Sequence, residues 1–373
     1  MEFVGTGSLA RLGEVLAHFG AQRVLLVSGQ GSWSASGAEA AVMPLLDGIE
    51  TRRFCAFDVN PKLEQARAGL ALHDALAPDV VLAVGGGSVI DMAKIVAFLA
   101  AQPRDQIAAI VRGGGERSGD PVPLIAVPTT AGSGSEATRF AVVHVDGEKF
   151  SLADPRIRPR VAIVDPVLSA SAPRYLAACA ALDALAQATE SLWAVGATEE
   201  SRGHAERALE LGLPAALPAV VDRDPDAMAR MAHASHLAGK AIDVSRTTAA
   251  HAFSYPITAR HGLAHGHAVA LTLGHFMVIN AEADAARLRG SGGRAHRETV
   301  FERLCTLYGR EDARGCRERW TGLVAALGLE TDPSRLGIRS ERDRRYIVSN
   351  VNLERLGNNP VIPNEREIAR LFT

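Results

Sequence analysis

Val80-Val-Leu-Ala-Val84 runs without a polar residue into Gly85-Gly86-Gly87-Ser88, and Val89-Ile-Asp91-Met-Ala-Lys94 then takes up a helical pattern. An unbroken apolar run of this length is how a strand covered on both faces reads. A strand, a glycine turn and a helix in that order make the first half of a β-α unit. Three glycines keep every Cβ out of the turn, so a ligand can approach the backbone. The free N–H groups at the helix start suit a phosphate. The spacing is not the common G-x-G-x-x-G, so the turn taken alone also reads as a tight turn with no ligand.

Outward from this stretch the same alternation continues. Strands are predicted over 23–29, 53–57 and 124–127, with helices over 38–46, 63–76 and 89–100. Further strands over 140–145, 149–152 and 161–164 include a hairpin. Strands alternating with helices imply a parallel sheet covered on both faces. A second polar loop, Pro128-Thr129-Thr130-Ala-Gly132-Ser133-Gly134-Ser135-Glu136, follows the fourth strand. It lies at a strand's carboxyl end, where open α/β sheets bind ligands. After Pro166 the texture changes to Ala, Leu, Glu and Arg, and helices are predicted over 177–193, 200–211, 226–241, 268–285 and 300–307. This predicts an α/β nucleotide-binding domain over 1–168 and an all-α domain over 169–373. The glycine- and arginine-rich stretch 287–297 reads as a solvated loop.

Composition excludes several classes. The chain has 373 residues, 47% hydrophobic and 22% charged, with a formal net charge of -2. That carries no whole-chain signature of nucleic-acid or acidic-membrane binding. The four cysteines, Cys55, Cys179, Cys305 and Cys316, form no CxxC pair, so free thiols in a reducing cytoplasm are expected. The first twenty residues show no basic start followed by an apolar core. From His261 to Ala281 there is no Asp, Glu, Lys or Arg, but four histidines interrupt the run. It therefore reads as a buried helix and not a membrane span.

The second half holds the metal-binding candidates. Asp183 sits among apolar residues in Leu182-Asp183-Ala-Leu-Ala-Gln187-Ala-Thr-Glu190, and Gln187 shares its helical face. Seven of the twelve histidines fall between His233 and His275. His251 and His265 bracket a segment with proline and glycine that reads as a turn. A carboxylate with neutral imidazoles suits a divalent first-row metal. Any one of these histidines read singly is an ordinary core or surface residue.

In order, Gly85-Gly86-Gly87-Ser88-x-x-Asp91-x-x-Lys94, Pro128 to Glu136, Asp183-Ala-Leu-x-Gln187-Ala-x-Glu190, His251 and His265-Gly266 resemble the iron-containing alcohol dehydrogenases over almost the whole chain. The resemblance implies a Rossmann-like N-terminal domain and an all-α C-terminal domain, an architecture shared with dehydroquinate synthase. It implies NADPH or NADH held by Gly86, Gly87, Ser88, Asp91, Lys94, Thr129, Thr130 and Ser133. It also implies one divalent metal, iron foremost with zinc or manganese open, held by Asp183, His251 and His265. Gln187 stands where the family usually has a fourth, histidine ligand. Tyr255 stands where a histidine near the nicotinamide is common, and Tyr255, His267 or water is expected to pass the proton. Many NAD-preferring members have an Asp at the end of the first strand. Gly29 stands there in this chain, which admits NADPH.

A closer similarity, to the members that reduce phosphonoacetaldehyde, lies around Arg246 to Pro256, Ala264 to Leu271, and Asn352 to Pro360. It implies a phosphonate head group met by Lys240 and Arg246. The expected partners are a small aldehyde or alcohol and a second copy of the chain, with neither nucleic acid nor membrane. Rival readings are an alcohol dehydrogenase for neutral aldehydes, a lyase or cyclase of the dehydroquinate synthase type, and a binding protein without chemistry.

Overall fold

The computed structural model describes residues 1–290 and 292–372 and divides into two compact units, Met1–Ala172 and Pro173–Thr373. The first unit contains strands β1 (Glu2–Val4), β2 (Arg23–Ser28), β3 (Glu50–Phe54), β4 (Val80–Gly85), β5 (Leu124–Pro128), β6 (Phe140–Val145), β7 (Glu148–Ala153) and β8 (Val161–Val164). Its helices are α1 (Leu12–His18), α2 (Ser32–Ala35), α3 (Ala38–Val42), α4 (Leu63–Leu76), α5 (Gly87–Ala100) and α6 (Ile107–Val111).

Six strands form one parallel sheet in the order β1-β8-β5-β4-β2-β3. β2, β4 and β5 carry Val, Leu, Ile and Ala on both faces, and one apolar cluster packs on each side of the sheet. β3 lies at an edge and carries Arg52 and Arg53, exposed charges of the kind that keep an edge from pairing further. The chain leaves β2 for β3 on one side and returns to β4 on the other. The crevice between β2 and β4 is therefore the point where strand order reverses, the usual ligand position in such sheets. β6 and β7 form a separate antiparallel hairpin turning at Asp146-Gly147, both with positive φ, as a two-residue turn of this hand requires.

The second unit is helical: α7 (Arg174–Trp193), α8 (Glu199–Leu217), α9 (Pro225–Ser245), α10 (Ala249–His261), α11 (His265–Glu282), α12 (Gly293–Tyr308) and α13 (Ala313–Ala326). Three short helices follow: α14 (Glu341–Ser349), α15 (Leu353–Gly357) and α16 (Glu365–Arg370). The segment between His251 and His265 is mostly helix, not the turn expected there. α10 continues through Pro256, and only 262–264 separates it from α11. Pro256 has no N–H to give the carbonyl one turn back, and Asn352 N–H donates to that carbonyl, Ala252 O, at 3.4 Å instead. The stretch 287–297 is likewise only partly a loop, because α12 begins at Gly293; Ser291 lies outside the described residues. Among the described residues no helix is long and apolar enough to cross a membrane.

Candidate active site

The two polar loops of the first unit meet at the carboxyl edge of the sheet. Gly86 abuts Thr130, whose Oγ1 is 3.4 Å from where a Cβ would lie. Gly87 abuts Ser133, with Oγ only 2.7 Å from such a Cβ. Thr129 N–H donates to Gly85 O at 3.0 Å, and Ser88 Oγ accepts from Asn60 N–H at 3.3 Å. The first turn of α5 thus opens onto a cradle of Gly86, Gly87, Ser88, Thr129, Thr130 and Ser133, with the helix dipole pointing into it.

Asp91 and Lys94 take a different place from the one expected. Lys94 is fully buried, and its Nζ donates to Ser135 Oγ (3.1 Å), Thr138 Oγ1 (2.9 Å) and Phe140 O (2.9 Å). Asp91 accepts from Ser135 Oγ and from Val142 N–H (2.9 Å). Burial pushes the Asp91 carboxyl upward, against the opposing charge of Lys94. Both side chains are committed to fastening the second loop onto α5, which makes them positioning residues.

One residue at this edge escaped the sequence reading. Arg53 of β3 donates from Nε to Ser28 Oγ at 2.7 Å and from Nη2 to Gly29 O at 2.9 Å. Its guanidinium carbon lies 5.4 Å from the Trp33 ring centre. No motif could have found it, because the contact depends on β2 and β3 pairing in register.

In the second unit the metal candidates converge. Asp183, His251 and His265 each offer one ligand atom, all within 4.8 Å of one another. His251 Nε2 lies 3.1 Å from Asp183 Oδ1, and His265 Nε2 lies 3.8 Å from the same oxygen. Gly266 makes this possible: a Cβ there would lie 1.9 Å from Cys179 O of α7. Gln187, one turn after Asp183, hydrogen-bonds it. Glu190, one turn further and fully buried, binds His251 Nδ1 and accepts from Thr248 Oγ1 (2.7 Å) and Ala250 N–H (2.8 Å).

Burial alone pushes Asp183 and Glu190 upward. The neighbouring imidazoles outweigh it, so both are held below the usual carboxylate range. Burial alone lowers His251, but Glu190 and Asp183 push it up to about 10. Two buried carboxylates face this one ring, and buried negative charge of that kind calls for a positive partner. One carboxylate and two imidazoles within reach of a single ion therefore fit a divalent first-row metal. A carboxylate on the far ring nitrogen is the usual way to fix such a ligand's tautomer.

The two proton-transfer candidates separate. The Tyr255 ring lies 6.0 Å from the His265 ring, against the cluster. His267 is two residues beyond His265, roughly 200° around the helix. Its Nδ1 lies 3.2 Å from Tyr175 Oη and its Nε2 2.8 Å from Glu330 O. The expectation that His267 passes a proton is therefore corrected: both ring nitrogens are occupied away from the cluster.

The two cations also separate. Arg246 ends α9 at φ 62°, ψ 171°, a conformation close to glycine-only. Asn358 brackets it, donating from Nδ2 to Ser245 O (2.8 Å) and Thr247 O (3.0 Å). Lys240 lies six residues back on α9, about 9 Å along the axis.

The fold and the cluster define a dinucleotide-type sheet followed by a helical metal unit, and sequence comparison places the chain in a family with that organisation. The profile described as iron-containing alcohol dehydrogenase matches residues 2–166, and that of the family's C-terminal domain matches residues 177–373. The chain belongs to the iron-containing alcohol dehydrogenase family. It is similar to the phosphonoacetaldehyde reductase of Streptomyces viridochromogenes, with 39% identity over 264 residues, 68% of this chain and 66% of that one. It is 31% identical to the bifunctional aldehyde-alcohol dehydrogenase AdhE of Escherichia coli K12 over 79% of this chain and 33% of that one. These matches thus span under two thirds of the first relative's length and about a third of the second's. Among solved structures it is similar to the sulfoacetaldehyde reductase of Bifidobacterium kashiwanohense in complex with NAD+. The TM-score is 0.89 at 28% identity, covering 100% of this chain and 96% of that one.

Proposed function

We propose that the chain catalyses metal-dependent, NAD(P)H-linked reduction of a small aldehyde with an anionic head group to the primary alcohol, with phosphonoacetaldehyde as the foremost substrate. The observation that carries this reading is the convergence of Asp183, His251 and His265 within 4.8 Å. When bound, the metal supplies Lewis-acid polarisation of the carbonyl oxygen and the nicotinamide supplies the hydride. Asp183, His251 and His265 are the ligands, with Gln187 holding Asp183 or adding its amide oxygen. Glu190 keeps the His251 proton on Nδ1 and so leaves Nε2 to ligate. Tyr255, against His265, passes the proton to the product oxygen. The cradle of Gly86, Gly87, Ser88, Thr129, Thr130 and Ser133 holds the cofactor's phosphates. The NAD+ bound in the sulfoacetaldehyde reductase supports that cofactor class.

The anionic head group has two supports. Two relatives are named for phosphonoacetaldehyde and sulfoacetaldehyde, both two-carbon aldehydes ending in an anion. In this chain Arg246 is held in a costly backbone conformation five residues before His251, and such strain concentrates at ligand-binding positions. Lys240, set back along α9, adds only a longer-range positive field. The test is an aldehyde panel with NADPH and NADH on metal-loaded protein. Phosphonoacetaldehyde is expected to give the highest kcat/KM. A preference for propanal leaves an alcohol dehydrogenase for neutral aldehydes, and binding without net NAD(P)H consumption points to the dehydroquinate synthase type of chemistry.

A further inference from the structure

We infer that Arg53 forms a subsite for the 2′-phosphate of an NADP-type dinucleotide, making this chain an NADPH binder by construction. The inference rests on the reading of the glycine cradle as a dinucleotide site. It begins from a charge with no obvious use: among the described residues Arg53 makes no ion pair, and its two hydrogen-bond acceptors, Ser28 Oγ and Gly29 O, are neutral. The guanidinium carbon lies over the ring of Trp33, itself buried. A guanidinium held by two hydrogen bonds and seated over a ring has given up much of its rotamer freedom in advance, so little more is lost when it meets an anion.

Its position makes the anion specific. Gly29 follows β2 at the crevice where strand order reverses, and a Cβ on Gly29 would lie 3.7 Å from Val89 of α5, the helix that receives the phosphates. In doubly wound sheets of this kind, a phosphate at the glycine turn places the adenosine ribose over the neighbouring strand end. There a carboxylate reads a free 2′-hydroxyl and an arginine accommodates a 2′-phosphate. Gly29 leaves that corner without a carboxylate, and Arg53, locked to the Gly29 carbonyl, puts the cation into it. The guanidinium fork matches phosphate geometry, which an ammonium does not.

The test uses binding alone, so it needs neither aldehyde nor turnover. Adenosine 2′,5′-bisphosphate and 5′-AMP are titrated into the full-length protein by calorimetry, and NADPH and NADH by fluorescence. The wild type is expected to bind the bisphosphate about ten- to a hundredfold more tightly than 5′-AMP, the range of one charge-assisted contact. The preference should shrink as salt rises. Arg53→Gln should erase most of it while leaving 5′-AMP and NADH within about twofold, and Arg53→Lys should keep only part. Equal weakening of both nucleotides in Arg53→Gln would reduce Arg53 to a clamp on the β2–β3 edge and overturn the inference. So would a wild type with no preference for the 2′-phosphate, whether or not the variants fold. Failure to bind any of the four ligands would instead overturn the dinucleotide reading beneath it.

Discussion

Arg246→Gly separates what a residue does for the fold from what it does for the substrate. At φ 62°, ψ 171°, Arg246 occupies a region essentially reserved for glycine, which costs a side-chain-bearing residue about 1–3 kcal/mol. Glycine removes that cost but adds flexibility to the unfolded chain, a penalty of roughly 0.5–1 kcal/mol. From these two ranges the backbone contribution alone makes the variant more stable by about 0–2.5 kcal/mol. For units of this size that raises the melting temperature by a few degrees, at roughly 2–4 °C per kcal/mol. Asn358 brackets the position through the carbonyls of Ser245 and Thr247, so the backbone path survives the change. Activity should move the other way. Loss of a charge-assisted contact worth about 1.5–3 kcal/mol lowers kcat/KM for phosphonoacetaldehyde about ten- to a hundredfold and leaves propanal nearly unchanged. Thermal melts and paired kinetics on the two aldehydes measure both arms. A variant that melts lower, or that loses both substrates equally, refutes the reasoning: the arginine would then be a structural residue whose lost contacts outweigh its strain.

Glu190→Gln should weaken divalent-metal binding about 10–100-fold in chelator competition, because an amide cannot both accept from Thr248 and Ala250 and receive the His251 Nδ1 proton as the carboxylate does; unchanged affinity would remove Glu190 from the site. Gly87→Ala drives a Cβ to 2.7 Å from Ser133 Oγ and should weaken NAD(P)H binding in fluorescence titration. An unchanged affinity would show that the close approach of Gly87 to Ser133 has no bearing on the cofactor. His275 accepts from Arg317 at 3.1 Å, and burial with that neighbouring charge pushes its pKa down to about 4. The unfolded chain therefore binds this proton first, so stability is full above about pH 6.5 and falls as pH drops toward 4. The loss is roughly 2 kcal/mol by pH 5, and His275→Gln should flatten it in denaturant titrations at the two pH values.

The α/β half is legible because β2, β4 and β5 are mainly apolar runs that lead into Gly29, Gly85 and Pro128, and both polar loops sit at the ends of β4 and β5. β3 is displaced, found at Glu50–Phe54 where 53–57 is expected, because an edge strand tolerates Arg52 and Arg53 and loses its apolar signature. β1 is three residues long and has no periodicity to read. In the helical half α10 is hidden by Pro256, whose cost is met by Asn352, almost a hundred residues away in sequence. Asp183, Gln187 and Glu190 share a face by local spacing, so that side of the metal cluster is visible from the chain. The roles of Lys94, Asp91, His267 and Arg53 are not, since each depends on partners distant in sequence. A lysine in a glycine-turn helix looks like a phosphate ligand until Ser135, Thr138 and Phe140 are seen to take its amine.

The central claim is most directly tested by stripping the protein of metal and following NADPH oxidation with phosphonoacetaldehyde as Fe2+, Zn2+ or Mn2+ is titrated back. Activity should be absent at the start, rise to a plateau at one metal per chain, and fail to appear in Asp183→Asn, whose metal content stays near zero. Full turnover by the stripped protein, or one metal firmly bound in Asp183→Asn, would contradict the account.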